Sequence, residues 1–222
     1  MSKDLNNSEF SQLLLACHEM AEAFPEGIVF IGGIAVYLHS INNEAAREFA
    51  EFTHHADFYI SMADMSDLRD LEELTPNRRL NKHQLIKRGF EFDIYTERHS
   101  ALIVPYDQVI ANAIKIDKLK IAALEQLFIL KLEAYRDRYS SSKGSKDAKD
   151  LIRIAIVSQS GNLRFNYKIA AGYLSDEHLS LLQKIERGPE PLALAKGNSK
   201  EAKYLRELFS KVVIGLKKVY NS

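Results

Sequence analysis

Two acidic residues in this sequence have the types and spacing that chemistry on phosphate groups requires. Asp57 lies in one apolar, strand-like segment and Asp93 in another. Residues two apart on a strand point to the same face, so Asp57 shares its face with His55, and Asp93 shares its face with Glu91 and Tyr95. If the two strands are neighbours in one sheet, the carboxylates approach each other. Two adjacent carboxylates can hold Mg²⁺ against phosphate oxygens.

A pair of glycines, Gly32 and Gly33, separates the apolar run IVFI from an amphipathic stretch. The pattern predicts a strand that turns directly into a helix. Backbone N–H groups at such a corner can face an anion, because glycine has no side chain in the way. Paired glycines are also common at corners for structural reasons alone, so the pair indicates a phosphate site only in combination with the carboxylates.

The elements that must position these residues follow from hydrophobic spacing. Strands are expected at 28–31, 56–61, 83–87, 90–95 and 119–122, with the third and fourth joined by a hairpin turn at Arg88-Gly89. Helices are expected at 10–24, 34–49, 124–139, 146–158, 175–187 and 199–220. A further short acidic helix should be capped by Ser66 and stopped by Pro76, the stretch SSSKGSK should be a loop, and Ser145 should cap the helix after it.

The order of these elements predicts an α/β fold in two domains. Residues 1–122 are expected to form an α/β domain, and residues 123–222 are expected to form a helical domain. A chain of 222 residues is long enough for this division.

Composition excludes several classes of protein. Thirty basic and thirty acidic side chains cancel, so the overall charge gives no reason to expect capture of nucleic acid or an anionic membrane. The single cysteine, Cys17, excludes an internal disulfide. No apolar signal core or run of membrane length is visible, so a cytoplasmic protein without a membrane partner is expected.

Five segments occur in an order that resembles the nucleotidyltransferase superfamily, most closely the bacterial branch that contains the AbiEii-type toxins of abortive-infection and toxin–antitoxin systems. The segments are FIGGIAVYLH, FTHHADFYI, FEFDIY, FILKLEAYRDR and SKDAKDLIRI. They run from about Ile28 to Ile156. The resemblance implies a nucleotidyltransferase-like mixed sheet with flanking helices, followed by a C-terminal helical bundle that closes one side of the nucleotide cleft.

The resemblance also implies site residues. Gly32 and Gly33 would hold a nucleoside triphosphate, and Asp57 with Asp93 would bind Mg²⁺, or Mn²⁺ in its place. Further residues would complete the site from the helical half, with Lys131 on phosphate beside Lys146, Asp147 and Asp150. The alternative for the last three is a solvated, self-paired helix end.

Two positions depart from the family pattern. His55 stands where the family has the first Asp of its Asp-x-Asp pair, and Glu51 stands where an arginine is frequent. Imidazole is a poor ligand for Mg²⁺. Three interpretations of His55 stay open: an inactivating substitution, a ligand to a softer ion such as Mn²⁺ or a base for the acceptor hydroxyl, and a histidine without a binding role.

The expected function is metal-dependent transfer of a nucleotidyl group from a nucleoside triphosphate to a hydroxyl of RNA or protein. The resemblance adds a toxin-like setting with an antitoxin partner. The alternative is a catalytically impaired protein of the same fold that acts by binding a nucleotide or another protein.

Overall fold

The structure is a computed structural model that describes residues 2–79, 82–98, 102–160 and 165–222. The strands are β1 (Ile28–Ile31), β2 (His55–Ile60), β3 (Thr75–Asn77), β4 (Lys82–Lys87), β5 (Phe90–Thr96), β6 (Ile114–Ile116) and β7 (Leu119–Ile121). The helices are α1 (Ser2–Ala23), α2 (Gly32–Ile41), α3 (Met62–Leu71), α4 (Tyr106–Asn112), α5 (Leu124–Arg138), α6 (Ser142–Ser160), α7 (Tyr167–Ala171), α8 (Asp176–Arg187), α9 (Glu190–Leu194) and α10 (Ser199–Tyr220).

The strands of the described residues form one mixed sheet in the order β3-β4-β5-β2-β1-β7-β6. The α/β class with a mixed sheet and flanking helices is therefore confirmed. Strand β2 lies at the centre, antiparallel to β1 and parallel to β5. None of the described helices combines the length and apolar character that crossing a membrane requires.

A row of aromatic rings fixes the register of the three central strands. Phe58 of β2 contacts Phe30 of β1 and Phe92 of β5, with ring centroids 5.8 Å and 6.2 Å apart. All three side chains are fully buried. A slip of one residue would expose the whole row, so these rings hold Asp57 and Asp93 on the opposite face.

The chain divides into two compact units. The first comprises Met1–Leu38 and Glu51–Ala123, and the second comprises His39–Ala50 and Leu124–Ser222. One boundary of this division falls at residue 123, next to the predicted boundary at residue 122. In addition, the short segment His39–Ala50 belongs to the helical unit.

Several predicted element ends were wrong. Helix α2 stops at Ile41 because the Asn43 side chain accepts from the N–H groups of Ala45 and Ala46, 3.1 and 3.0 Å away, and so closes a turn. A separate 3-10 helix follows at Arg47–Phe49.

The predicted cap of α3 was also wrong. Helix α3 begins earlier than predicted, and Ser61 rather than Ser66 caps it by accepting from the N–H of Asp64 at 3.0 Å. Helix α3 ends at Leu71 without Pro76, which lies in β3 at the sheet edge, where a missing donor costs little.

The loop predicted at SSSKGSK is mostly helix. Helix α6 begins at Ser142, and the hydroxyl of Ser141 accepts from the N–H of Gly144 at 3.2 Å. Ser145 is therefore inside the helix and does not cap it. Strands β3 and β6 and helices α4, α7 and α9 were not predicted.

Candidate functional site

The glycine corner is where β1 ends and α2 begins. Gly32 has φ +66°, and a Cβ on it would lie only 2.2 Å from Oδ2 of Asp57. A Cβ on Gly33 would lie 2.9 Å from Oγ1 of Thr53. Both glycines are therefore required by the close approach of the chain around β2, and the Asp57 carboxylate rests against the backbone of the corner.

The two predicted carboxylates lie side by side. Asp57 is directly opposite Asp93 in the parallel pair β2–β5 and directly opposite Ile31 in the antiparallel pair β1–β2. The expectation that the two strands are neighbours is thus confirmed. Asp57 and Asp93 share one sheet face, next to the residue that precedes Gly32.

His55 lies on the same face as Asp57. Its Nε2 is 3.7 Å from Oδ2 of Asp57, and about half of its side chain is exposed. Glu91 of the neighbouring strand β5 lies directly opposite His55, so a second carboxylate is close to the histidine. The histidine is therefore accessible and adjacent to a carboxylate.

Asp93 has two partners from β4 that the sequence reasoning missed. The ammonium of Lys82 forms an ion pair with its Oδ2, and Nε2 of Gln84 donates to its Oδ1 at 3.1 Å. Gln84 also donates to Glu91 at 2.7 Å. The signal was present in the sequence, because a two-residue turn at 88–89 fixes Gln84 opposite Asp93 and places Lys82 on the same face.

The arrangement does not fit a metal ion in the way that the family resemblance implies. One of the two carboxylates, Asp93, is already neutralised by Lys82, and His55 replaces the third oxygen ligand. Among the residues that the structure describes, no group of three or more His, Cys, Asp and Glu side chains is arranged to hold a metal. An ammonium at this place opposes a second cation by charge repulsion.

Three of the four predicted residues of the helical unit, all but Lys146, form a buried ion-pair cluster. Lys131 of α5 lies 2.7 Å from Oδ2 of Asp150 and 3.5 Å from Oδ1 of Asp147, both on α6. Arg138 donates to Asp147 through Nε at 2.7 Å, and Arg153 donates to Asp150 through Nη1 at 2.7 Å. The cluster joins α5 to α6.

Burial decides how the cluster is interpreted. Asp147 and Asp150 are 2% and 3% exposed, so these two residues are not solvated as the alternative expected, although both are ion-paired. Burial alone would raise the pKa of the Asp150 carboxyl, but the charges of Lys131 and Arg153 and their hydrogen bonds hold that pKa below its ordinary value. Lys146 is half-buried on the same helix. A phosphate contact by Lys131 would have to compete with its two carboxylates.

The structure therefore brings the predicted residues together in two groups. His55, Asp57, Asp93 and the glycine corner lie together in the first unit. Lys131, Asp147 and Asp150 lie together in the second unit.

Comparison with known proteins gives similarity of structure only. No protein-family model matches the chain, and no curated protein matches it. An antigenic nucleotidyltransferase-like protein from Paracoccidioides brasiliensis is similar with a TM-score of 0.49 and 15% identity, over 86% of this chain and 93% of that one. The JHP933 protein from Helicobacter pylori is similar with a TM-score of 0.43 and 14% identity, over 95% of this chain and 90% of that one.

Proposed function

We propose that this chain is a nucleotide-binding protein of the nucleotidyltransferase type, whose site takes a nucleoside triphosphate and supports at most weak transfer. The observation that carries the proposal is the register at Asp57, which lies opposite both Asp93 and the last residue before Gly32. Carboxylates, an exposed histidine and a strand-to-helix corner thereby share one sheet face. A helix N-terminus favours phosphate through its N–H groups and dipole.

Weak chemistry follows from the charges on this face. The family pattern has an aspartate at His55, and Asp93 is paired with Lys82. Binding Mg²⁺ or Mn²⁺ at Asp57 and Asp93 stays a prediction, and Lys82 argues against it. Lost metal assistance typically costs several kcal/mol in the chemical step, so binding can persist while turnover falls.

Active transfer is the second candidate, and the 3.7 Å distance between His55 Nε2 and Asp57 Oδ2 favours it. In this reading His55 takes the proton from the acceptor hydroxyl, and Asp57 stabilises the imidazolium that forms. The acceptor oxygen then bonds to the α-phosphorus. The bond from that phosphorus to the bridging oxygen breaks, and pyrophosphate leaves.

Titration calorimetry with each nucleoside triphosphate tests the binding site. The experiment is run with Mg²⁺, with Mn²⁺ and with EDTA, on wild type, Asp57→Asn and a control. The control is Asp67→Asn, which changes an exposed aspartate of α3. We expect wild type and the control to bind and Asp57→Asn to bind weakly. If wild type shows no binding of any nucleoside triphosphate under all three conditions, the proposal is overturned.

A transfer assay separates the two candidates. Radiolabel from the α-phosphate of a nucleoside triphosphate is followed into cellular RNA and protein, the two acceptor classes that the resemblance implies. Weak or absent label with intact binding supports the first candidate. Brisk labelling that His55→Ala abolishes supports the second.

The toxin-like setting and the antitoxin partner are proposals from the resemblance alone. Controlled expression in a bacterial host tests the setting. Growth arrest by wild type and not by Asp57→Asn would support a toxin role, and normal growth with both chains would argue against it.

The helical-unit residues are part of the same proposal. If Lys146 contacts bound nucleotide, the nucleotide should slow acetylation of its amine. Lys143, one turn earlier on α6 and exposed, is the matched control within the same sample. Equal acetylation of both lysines with and without nucleotide would remove Lys146 from the site.

A further inference from the structure

Lys82 is a buried cation on the face where the resemblance places a metal. Its side chain is 8% exposed and that of its partner Asp93 is 11% exposed. Lysine is almost never buried to this degree unless its charge is paired. The position is therefore a specific ion pair and not a surface lysine that happens to lie near an aspartate.

The register shows that Lys82 faces the candidate site. Gln84 is directly opposite Asp93, and Lys82, two residues earlier on β4, points to the same side. Asp93 is in turn directly opposite Asp57. The row Gln84, Asp93 and Asp57 across three strands ends at the glycine corner, and the Lys82 ammonium joins this row at Asp93.

Lys82 supplies a positive charge beside the two carboxylates at which the resemblance implies a metal ion. Asp57, Asp93 and the ammonium together carry one net negative charge, and Glu91 is a further carboxylate on the same face. Three carboxylates around one Mg²⁺ would carry the same net charge. The Lys82 ammonium is thus a fixed cation at the place where the resemblance puts a bound one, beside a position where His55 stands in for a carboxylate.

We propose that Lys82 replaces the divalent cation, so that this site binds a nucleoside triphosphate in its metal-free form. The inference rests on the nucleotide site proposed above. An ammonium has three donors, so Lys82 can hold the Asp93 carboxylate and a phosphate oxygen together. Lysine binds phosphate as a point charge, so the ammonium can contact a phosphate oxygen without the fixed two-bond geometry that arginine requires.

Binding of Mn²⁺ alone, followed by electron paramagnetic resonance, tests the replacement without any nucleotide. We expect wild type to bind little Mn²⁺. Lys82→Met should gain Mn²⁺ affinity by about 10- to 100-fold, the range by which partners of metal ligands change affinity. The control is Lys87→Met on the same strand, because Lys87 pairs with Glu72 on the other face. Equal Mn²⁺ binding by wild type and Lys82→Met would overturn the inference.

Two more variants protect the test against misfolding of Lys82→Met. Lys82→Arg keeps the charge and should behave like wild type toward Mn²⁺. Lys82→Met combined with Asp93→Asn removes both charges of the buried pair, so it should fold without gaining Mn²⁺ affinity. Mn²⁺ binding by this double variant as strong as by Lys82→Met would place the metal elsewhere and overturn the inference.

Nucleotide titration distinguishes failure of this inference from failure of the proposed function. We expect wild type to bind the triphosphate as well in EDTA as in Mg²⁺, and Lys82→Met to bind it only with a divalent ion. Wild-type binding that requires Mg²⁺ would overturn the inference and leave the nucleotide site standing. No binding under any condition, with a gain of Mn²⁺ affinity in Lys82→Met, would overturn the proposed function and the metal-free ligand.

Discussion

Gly32 and Asp57 depend on each other through a single close approach. Gly32 has φ +66°, which costs an ordinary residue about 1–2 kcal/mol. Its missing Cβ also leaves room for Oδ2 of Asp57. The glycine therefore serves the backbone turn and the position of the carboxylate at the same time.

Replacing Gly32 with alanine should lower the free energy of unfolding by about 3 kcal/mol, because backbone strain and overpacking add. Chemical denaturation measures this loss. Gly89→Ala is the matched control, because Gly89 has φ +82° and no described atom lies within 4 Å of a Cβ placed there. It should lose only about 1 kcal/mol. Equal losses would show that the Asp57 contact contributes nothing.

Restoring the family's carboxylate at His55 tests what the histidine does. His55→Asp adds carboxylate oxygens on the same sheet face as Asp57, whose Oδ2 now lies 3.7 Å from Nε2 of the histidine. We expect tighter Mn²⁺ binding by about tenfold, and higher nucleotidyl transfer, since carboxylates are the ligands that hard divalent ions prefer. Calorimetry and the radiolabel assay measure the two effects.

The neighbouring histidine supplies the control for this prediction. His54→Asp adds the same charge one residue earlier, at a side chain that is 68% exposed beside Glu9. It should change neither Mn²⁺ binding nor transfer. If wild type transfers nucleotides briskly and His55→Asp abolishes transfer, His55 is the base and the impaired-site interpretation is wrong.

At the scale of elements, the hairpin β4–β5 was predictable and the ends of α2 and α6 were not. Arg88-Gly89 gives a two-residue turn, with φ of 53° and 82°, which sets the register of both strands. The end of α2 depends on the Asn43 side chain. The start of α6 depends on the Ser141 hydroxyl. A polar loop and a capped helix start have similar compositions, so hydrophobic spacing cannot separate them.

The same reasoning predicted the two carboxylates and missed their cation. Asp57 and Asp93 were recognised because they interrupt apolar strands. Lys82 was not, because a lysine near a strand end is ordinarily solvated. Only the register reveals that it lies buried beside Asp93.

The cap of α3 gives a prediction at this scale. Ser61→Ala should lower the free energy of unfolding by about 1 kcal/mol, because the N–H of Asp64 loses its acceptor. Ser66→Ala, an exposed position inside α3, should leave stability unchanged or slightly higher. Denaturant titration of both variants measures the difference. A larger loss of stability for Ser66→Ala than for Ser61→Ala would show that Ser66 caps the helix, as the sequence predicts.

The ion pairs between α5 and α6 predict a pH-dependent stability. The pKa of Asp150 is lowered in the folded state, so its charge stabilises the fold above its ordinary pKa of about 3.8 and the contribution is lost as pH falls below that value. Asp150→Asn leaves Lys131 and Arg153 with less counter-charge. It should lose about 3–5 kcal/mol at neutral pH, and the gap to wild type should narrow in acid.

Denaturant titrations from pH 7 down to pH 3 measure this gap. Asp137→Asn is the control, because that carboxylate is 68% exposed and its ion pair with Arg136 is a long one, at 3.8 Å. It should stay within about 0.5 kcal/mol of wild type. A pH-independent gap for Asp150→Asn would show that the loss comes from packing and not from charge.

At the scale of the whole molecule, the two units are not two halves of the chain. Residues 39–50 belong with the helical unit. Arg153 of α6 donates through Nε to the carbonyl of Phe49 at 2.6 Å, and Ser160 donates to Asn43 at 3.2 Å. Arg153 is 3% exposed, so this carbonyl satisfies a buried cation. A cut at the sequence-predicted boundary would remove that acceptor.

We therefore expect residues 124–222 alone to fold poorly, because Arg153 would lose one of its partners and the surface that residues 39–50 cover would meet water. The matched control joins residues 39–50 to residues 124–222 through a flexible Gly/Ser linker. Thermal melts followed by circular dichroism should be cooperative for the joined chain, and broad or at least about 5 °C lower for the bare fragment, a shift of the size that ~1 kcal/mol gives a domain of this length. Identical cooperative melts would show that residues 39–50 contribute nothing to the stability of the helical unit, and the boundary near residue 122 would then separate two self-sufficient folding units.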